Sequence, residues 1–287
     1  MNFRTKSLQI LLFSLPVFFS ATAYRVADNN ANNKGLDSLQ TLKKRFHLGV
    51  SAHRGNSKLA PENTLATFKS VLAMGVDYIE IDVRTTKDGQ LMILHDGTLN
   101  RTTNGEGPMK NFTFDELKKL SAGKGFHETF QNERIPTLQE TTQLVADWNK
   151  THKTSTNLYV DCKDVAPEPL VKELAAKKLL KEAVFYGSDE FLLSLKKIYP
   201  QARLMPSLDK PEEIEEKVNR LHPYAFDVRW TILTDSLVNQ IHQKKVKVFS
   251  DVLGILDNPV NYKKATDMGV DIIQTDFVRK VYSSLLN

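Results

Sequence analysis

The sequence predicts an α/β chain folded as a TIM (β/α)8 barrel with a small insertion after the second strand. Three observations carry this prediction. Eight short β-branched runs alternate with longer amphipathic stretches from about residue 48 onward, the pattern of repeated β–α units. Gly75 and Gly269 stand between helix and strand patterns in the matching words Met74-Gly75-Val76-Asp77 and Met268-Gly269-Val270-Asp271, where a left-handed helix-ending residue is expected. No Gly-x-Gly-x-x-Gly loop follows any strand, so nucleotide-fold readings lose support. Eight strands alternating with helices favour a closed parallel barrel over an open doubly wound sheet.

Residues 1–23 read as a secretory signal peptide: Arg4 and Lys6, an apolar run from Leu8 to Phe19, then Ala21-Thr22-Ala23 before a cleavage point. The run is shorter than the ~20 residues that cross a bilayer, and Pro16 interrupts it, so no stable membrane span is expected after cleavage. The mature protein is expected to be exported, periplasmic or secreted. Residues 24–37, rich in Asn, Asp and Ala, read as a flexible lead-in, and 38–287 as a single barrel domain.

Strands are predicted at about 48–53, 77–83, 158–163, 183–187, 202–206, 224–228, 246–250 and 271–275. Helices are predicted over 62–74, 169–180, 189–198, 211–220, 235–244 and 258–268, with a further one around 138–148. Ser188 and Thr234 offer capping oxygens, and Pro211 suits a first helical position. The stretch from Asp96 to Asn157 is too long for an ordinary barrel loop, so an insertion over about 96–135 is expected to cap the mouth. Its Phe112, Phe114, Phe126 and Phe130 are expected to anchor that cap; an exposed apolar rim would instead suit a membrane surface.

Composition is that of an ordinary globular chain, 287 residues with 41% hydrophobic and 25% charged. Without the leader, 37 Lys and Arg face 34 Asp and Glu, a mild +3 that does not suggest nucleic-acid binding. Cys162 is the only cysteine, so no intramolecular disulfide can form, and a buried structural thiol is expected rather than a nucleophile.

The chemistry concentrates between His53 and Thr103. His53 and Arg54 follow the first strand, at the end where barrel enzymes carry their working groups. On the second strand, Glu80 and Asp82 share one face and Ile79, Ile81 and Val83 take the other. In a barrel covered outside by helices, these carboxylates point to the lumen, and two buried anions call for a cation or a proton between them. A hairpin at Asp88-Gly89 would return His95 level with Asp82. On the next barrel strand Tyr159, Asp161 and Lys163 share a face. Asp161 could add a third oxygen, and Lys163 a point charge for a phosphate. Three hard oxygen donors suit one divalent cation, Mg²⁺ or Ca²⁺.

His53-Arg54-Gly55, Pro61-Glu62-Asn63-Thr64, Glu80-Ile81-Asp82-Val83, Thr86-Lys87-Asp88-Gly89, His95-Asp96 and Arg101-Thr102-Thr103-Asn104-Gly105, in that order, resemble the glycerophosphodiester phosphodiesterase family. The resemblance is strong over 50–107 and weaker at Ile135-Pro136-Thr137-Leu138, at Asp161 and Lys163, and from Gly269 to Asp276. It implies metal-dependent hydrolysis of glycerophosphodiesters to an alcohol and glycerol 3-phosphate, the substrate's own glycerol hydroxyl attacking first. It further implies His53 and His95 as general base and acid, Arg54 on the phosphoryl group, and Glu80, Asp82 and Asp161 on the metal. Glu62 would join the metal shell or orient its neighbours. Asp161 stands where that family carries glutamate, Phe249-Ser250-Asp251 replaces a segment with tryptophan and asparagine, and a proline common after Thr275-Asp276 is missing. Two alternatives stay open: a phosphatidylinositol or sphingomyelin head-group phosphodiesterase on the same barrel, and a non-catalytic anion-binding relative.

Overall fold

The structure, a computed structural model, describes residues 47–286 apart from Ser57. The expected leader and lead-in lie outside the described residues. Strands β1 (Gly49–Ala52), β2 (Tyr78–Thr85), β3 (Leu91–Ile93), β4 (Asn157–Asp164), β5 (Val184–Tyr186), β6 (Arg203–Met205), β7 (Ser207–Leu208), β8 (Ala225–Val228), β9 (Lys247–Asp251) and β10 (Ile272–Thr275) form one sheet. Its path runs β6-β5-β4-β2-β1-β10-β9-β8-β7, parallel throughout, with β3 antiparallel on β2.

The run expected at 202–206 is split by Pro206, which has no N–H to give a ladder. Its two pieces serve different neighbours, β6 pairing with β5 and β7 with β8. The ring closes across the break, because Tyr224 N–H donates to the Leu204 carbonyl at 2.8 Å and Asp227 N–H to the Pro206 carbonyl at 3.0 Å. Counting the split strand once, the eight expected barrel strands are present.

Helices follow the strands: α1 (Leu65–Leu72), α2 (Phe114–Leu117), α3 (Leu138–His152), α4 (Pro167–Ala176), α5 (Asp189–Ile198), α6 (Ile214–Leu221), α7 (Asp235–Gln243), α8 (Pro259–Met268) and α9 (Val278–Leu286). Several begin on side-chain caps. The Thr64 hydroxyl accepts from Thr67 N–H, and Thr137 with Glu140 forms a reciprocal box at the start of α3. That cap starts α1 three residues later than expected, since Thr64 is already extended. Pro167 rather than Pro169 opens α4, and the 211–213 stretch is a 3₁₀ turn before α6. The C-terminal helix α9 was not anticipated from the pattern.

Alternation along the strands divides the interior into two cores. Val50, Ile79, Ile81, Val160, Phe185, Phe226 and Val248 face outward into the shell of helices. Tyr78, Tyr159, Val184, Met205, Ala225, Phe249 and Ile272 face inward and plug the floor of the barrel. Between β2 and α3, a third cluster of Met92, Leu94, Leu99, Met109, Leu117, Ala122 and Ile135 holds together the segment beside the mouth. Phe112 and Phe114 pack on that cluster, while Phe126 is exposed and meets Phe130 edge to face.

Candidate active site

Register builds the acidic centre. β2 and β4 pair with Asp82 opposite Asp161 and Glu80 opposite Tyr159, so the inward carboxylates stand directly above the aromatic floor. Glu80 is 3% exposed and Asp82 1%, which leaves water little part in dispersing their charge. Burial, then Asp82 and Asp161, pushes the Glu80 carboxyl well above its ordinary range. Burial likewise raises Asp161, although Lys163 pulls it down. The Lys163 ammonium lies 2.5 Å from Asp161 and 3.3 Å from Asp82; burial lowers its basicity, and these two carboxylates more than restore it.

Ligand oxygens of Glu80, Asp82 and Asp161 lie within 4.8 Å of one another, and buried Asp82 Oδ1 has the Lys163 ammonium 3.3 Å away but no well-aligned hydrogen bond. Hard oxygens that repel one another, one of them without an aligned donor, fit a divalent cation. The shorter side chain at Asp161 does reach the group. Glu62 stays outside it, because its Oε1 accepts from Arg54 at 3.0 Å and both of its oxygens accept from Arg101 at 2.7 Å. Burial raises the Glu62 carboxyl, but Arg101 and Arg54 outweigh this and hold it low.

His53 and Arg54 form a short turn directly after β1, with Arg54 at φ 49°, in the left-handed region. This costs a non-glycine residue roughly 1 kcal/mol. Two backbone bonds hold it there: Arg54 N–H donates to Glu80 Oε2 at 2.7 Å, and its carbonyl accepts from Asn63 N–H at 3.0 Å. Asn63 Nδ2 in turn donates to Asp82 Oδ2 at 2.8 Å, and Arg54 Nε is buried with no acceptor.

Each imidazole is gripped through Nδ1, His53 by Asp276 Oδ1 at 2.9 Å and His95 by Asp96 Oδ1 at 2.7 Å. Arg101 backs the second pair with two 2.8 Å contacts to Asp96 and, with His95, holds that carboxyl far below its usual range. These bonds leave Nε2 of both rings for the cavity. That cavity, about 270 Å³, is lined by His53, Arg54, Glu80, Asp82, His95, Asp161 and Lys163, so every sequence-predicted residue except Glu62 lines it.

Tyr186, Asp227 and Gln274 line it too and were missed, as does Asp251, noted in the sequence only as part of a segment that departs from the family pattern. Their signal was the same alternation that picked out Glu80: Ala225 and Asp227 share the inward face of β8, and Phe249 and Asp251 that of β9. Asp276 was missed as the partner of His53; one residue past the Ala52–Thr275 pair, the β1–β10 register brings them together. Cys162 is buried on the outward face, its thiol pushed up by that burial, which suits a structural role.

Fold and site together define a barrel protein of the enzyme type, in which two histidines, two cationic side chains and a carboxylate cluster meet at the C-terminal ends of the strands. The model of the glycerophosphoryl diester phosphodiesterase family matches residues 53–280. A glycerophosphodiester phosphodiesterase of Caldanaerobacter subterraneus subsp. tengcongensis is 36% identical over 238 residues, 79% of this chain and 93% of that protein. The crystal structure of a glycerophosphodiester phosphodiesterase from Agrobacterium tumefaciens superposes with TM-score 0.74 at 25% identity, covering 82% of this chain and 99% of that one. An Oleispira antarctica phosphodiesterase in complex with its product sn-glycerol-3-phosphate gives 0.71 at 27% identity, covering 83% and 97%. The chain belongs to the glycerophosphoryl diester phosphodiesterase family and is a phosphoric diester hydrolase.

Proposed function

We propose that the enzyme hydrolyses glycerophosphodiesters to an alcohol and glycerol 3-phosphate, with His53 and His95 as its acid–base pair and one divalent cation, Mg²⁺ or Ca²⁺, on Glu80, Asp82 and Asp161. The observation that carries this reading is the single cavity in which both imidazoles, two cationic side chains and three clustered carboxylates meet. When bound, the cation supplies charge neutralisation for the phosphoryl oxygens.

The chain's own groups divide the remaining work. Arg54 and Lys163 receive the non-bridging oxygens, where negative charge grows during displacement. One imidazole takes the proton of the attacking glycerol hydroxyl and the other gives a proton to the leaving alcohol; water then opens the resulting cyclic phosphate to glycerol 3-phosphate, with the two proton transfers reversed. Asp276 and Asp96 hold both rings in the tautomer that keeps Nε2 for this traffic. The name of the Caldanaerobacter relative and the glycerol phosphate in the Oleispira complex support this substrate class.

His53→Ala and His95→Ala are each expected to cost at least about 10²-fold in kcat, measured as release of glycerol 3-phosphate by purified protein. Near-normal turnover in either variant would remove that residue from the mechanism. EDTA is expected to abolish turnover, and Mg²⁺ or Ca²⁺ to restore it.

A head-group phosphodiesterase acting on a lipid surface is the second reading. It draws support from apolar side chains exposed on loops that follow strands, Leu59 after β1 and Ile255, 95% exposed, after β9. Cleavage of soluble glycerophosphocholine but not of vesicle phospholipid decides for the first. No helix among the described residues is long and apolar enough to cross a membrane. Export is proposed from the leader pattern at residues 1–23 alone.

A further inference from the structure

On one side, the catalytic cavity opens into a second of about 360 Å³, lined by Tyr186, Asp209, Asp227, Trp230 and Asp251 among others. Tyr186, Asp227, Asp251 and Leu253 line both, so the two make one continuous cleft. Cations are unevenly placed along it. Arg54 and Lys163 stand among Glu80, Asp82 and Asp161 at the end formed by β1, β2 and β4. At the far end, over β7, β8 and β9, stand three carboxylates, and the lining cation Arg229 is spent on Asp209 at 2.6 Å.

Asp251 accepts one bond, from Gln274 Nε2 at 2.9 Å. Among the described residues, no hydrogen bond reaches the Asp227 carboxylate. Burial, together with nearby carboxylates, pushes both of these acids up. His53 and Arg54 temper Asp251 from across the cleft, whereas the groups acting on Asp227 are all carboxylates; a part-buried carboxylate so placed is costly, and a positive ligand group would offset that cost. The ring of Tyr186 between the two cavities adds a face on which an alkylammonium can rest.

With the phosphoryl group at Arg54 and Lys163, an ester substituent directed toward β8 and β9 enters this second cavity. We propose that the second cavity receives the leaving alcohol and selects an ammonium-bearing alcohol, of the ethanolamine or choline type, over an uncharged polyol such as glycerol or inositol. The inference rests on the diesterase reading of the adjoining site. A polyol could also donate hydrogen bonds to Asp227 and Asp251, but it would leave their negative charge uncompensated.

The test assays the full chain with Mg²⁺ or Ca²⁺ on glycerophosphoethanolamine, glycerophosphocholine, glycerophosphoglycerol and glycerophosphoinositol. The first two are expected to show kcat/KM roughly tenfold or more above the others, a preference that shrinks toward one in Asp227→Asn. Equal kcat/KM across the wild-type panel overturns the proposal. So does an Asp227→Asn loss shared by all four substrates, since the carboxylate would then serve a part common to them. Calorimetric titration of glycerophosphoethanolamine and glycerophosphoglycerol into EDTA-treated protein separates the two readings. Preferential binding of the amine without any turnover would sink the diesterase and leave the subsite standing, whereas equal binding sinks the subsite. Asp251→Asn, read in the same way, takes over should Asp227→Asn fail to fold.

Discussion

His53 and His95 each give Nδ1 to a carboxylate, and that economy defines what the surrounding residues do. In the proposed mechanism Asp276 touches no reacting atom; its bond to Nδ1 positions His53. Asp276→Asn keeps the shape but can present its amide N–H₂ to the ring, which favours the wrong tautomer. A fall in kcat of roughly tenfold or more, with KM little moved, is expected, and an unchanged kcat would show the pair to be structural only. Arg101 is the hinge of the other side, a planar fork bonded at once to Asp96 and Glu62, and through them to His95 and Arg54. Lysine has the charge but not the fork. Arg101→Lys is therefore expected to lose nearly as much kcat as Arg101→Ala, and recovery to near wild-type rates by lysine would refute this role.

Elements place these residues through two local devices. The Asp88-Gly89 turn, with Gly89 at φ 82°, folds β3 back on β2, where Leu94 N–H donates to the Asp82 carbonyl at 2.9 Å. That bond brings His95 to the level of the acidic pair. The segment beyond, with its own small core, is closed by a tight approach at Gly123, where a Cβ would lie 2.2 Å from the Phe130 carbonyl oxygen. Backbone cannot yield as a side-chain tip can. Gly123→Ala is expected to destabilise the protein by about 1–3 kcal/mol, read as a lower urea midpoint. A midpoint equal to wild type would mean that the 123–130 loop moves freely.

At the scale of the molecule, the barrel mouth holds more negative charge than it can disperse. Glu80, Asp227 and Asp251 have folded values raised above their unfolded ones. Such groups contribute stability that is fully present below about pH 4 and lost as pH rises through the folded values. Asp96 and Asp276 are lowered, and their contribution, present above about pH 4, disappears on acidification through their folded values. The EDTA-treated protein should thus melt highest in mild acid and lower toward pH 8, with a shallower decline in the Asp227→Asn, Asp251→Asn double variant. Scanning calorimetry across pH checks this, and parallel slopes would refute it. Divalent cation at a hundredfold excess over its Kd should add about 2.7 kcal/mol, raising Tm by several degrees.

Local patterns by themselves determined the barrel, the punctuation of its helices and the working faces of β2 and β4. Period-two alternation fixes which side of a strand Glu80, Asp82, Asp161 and Lys163 occupy, and the Asp88-Gly89 turn brings His95 back without any long-range information. Closure of the sheet decided the rest. His53 meets Asp276 across 223 residues of chain, Glu62 is bonded to two arginines and so orients its neighbours, and Asp227 and Asp251 join the mouth only because β8 and β9 complete the ring. Alternation names a face, but the residue that stands across from it depends on register and closure between strands distant in sequence, and no short segment carries that information.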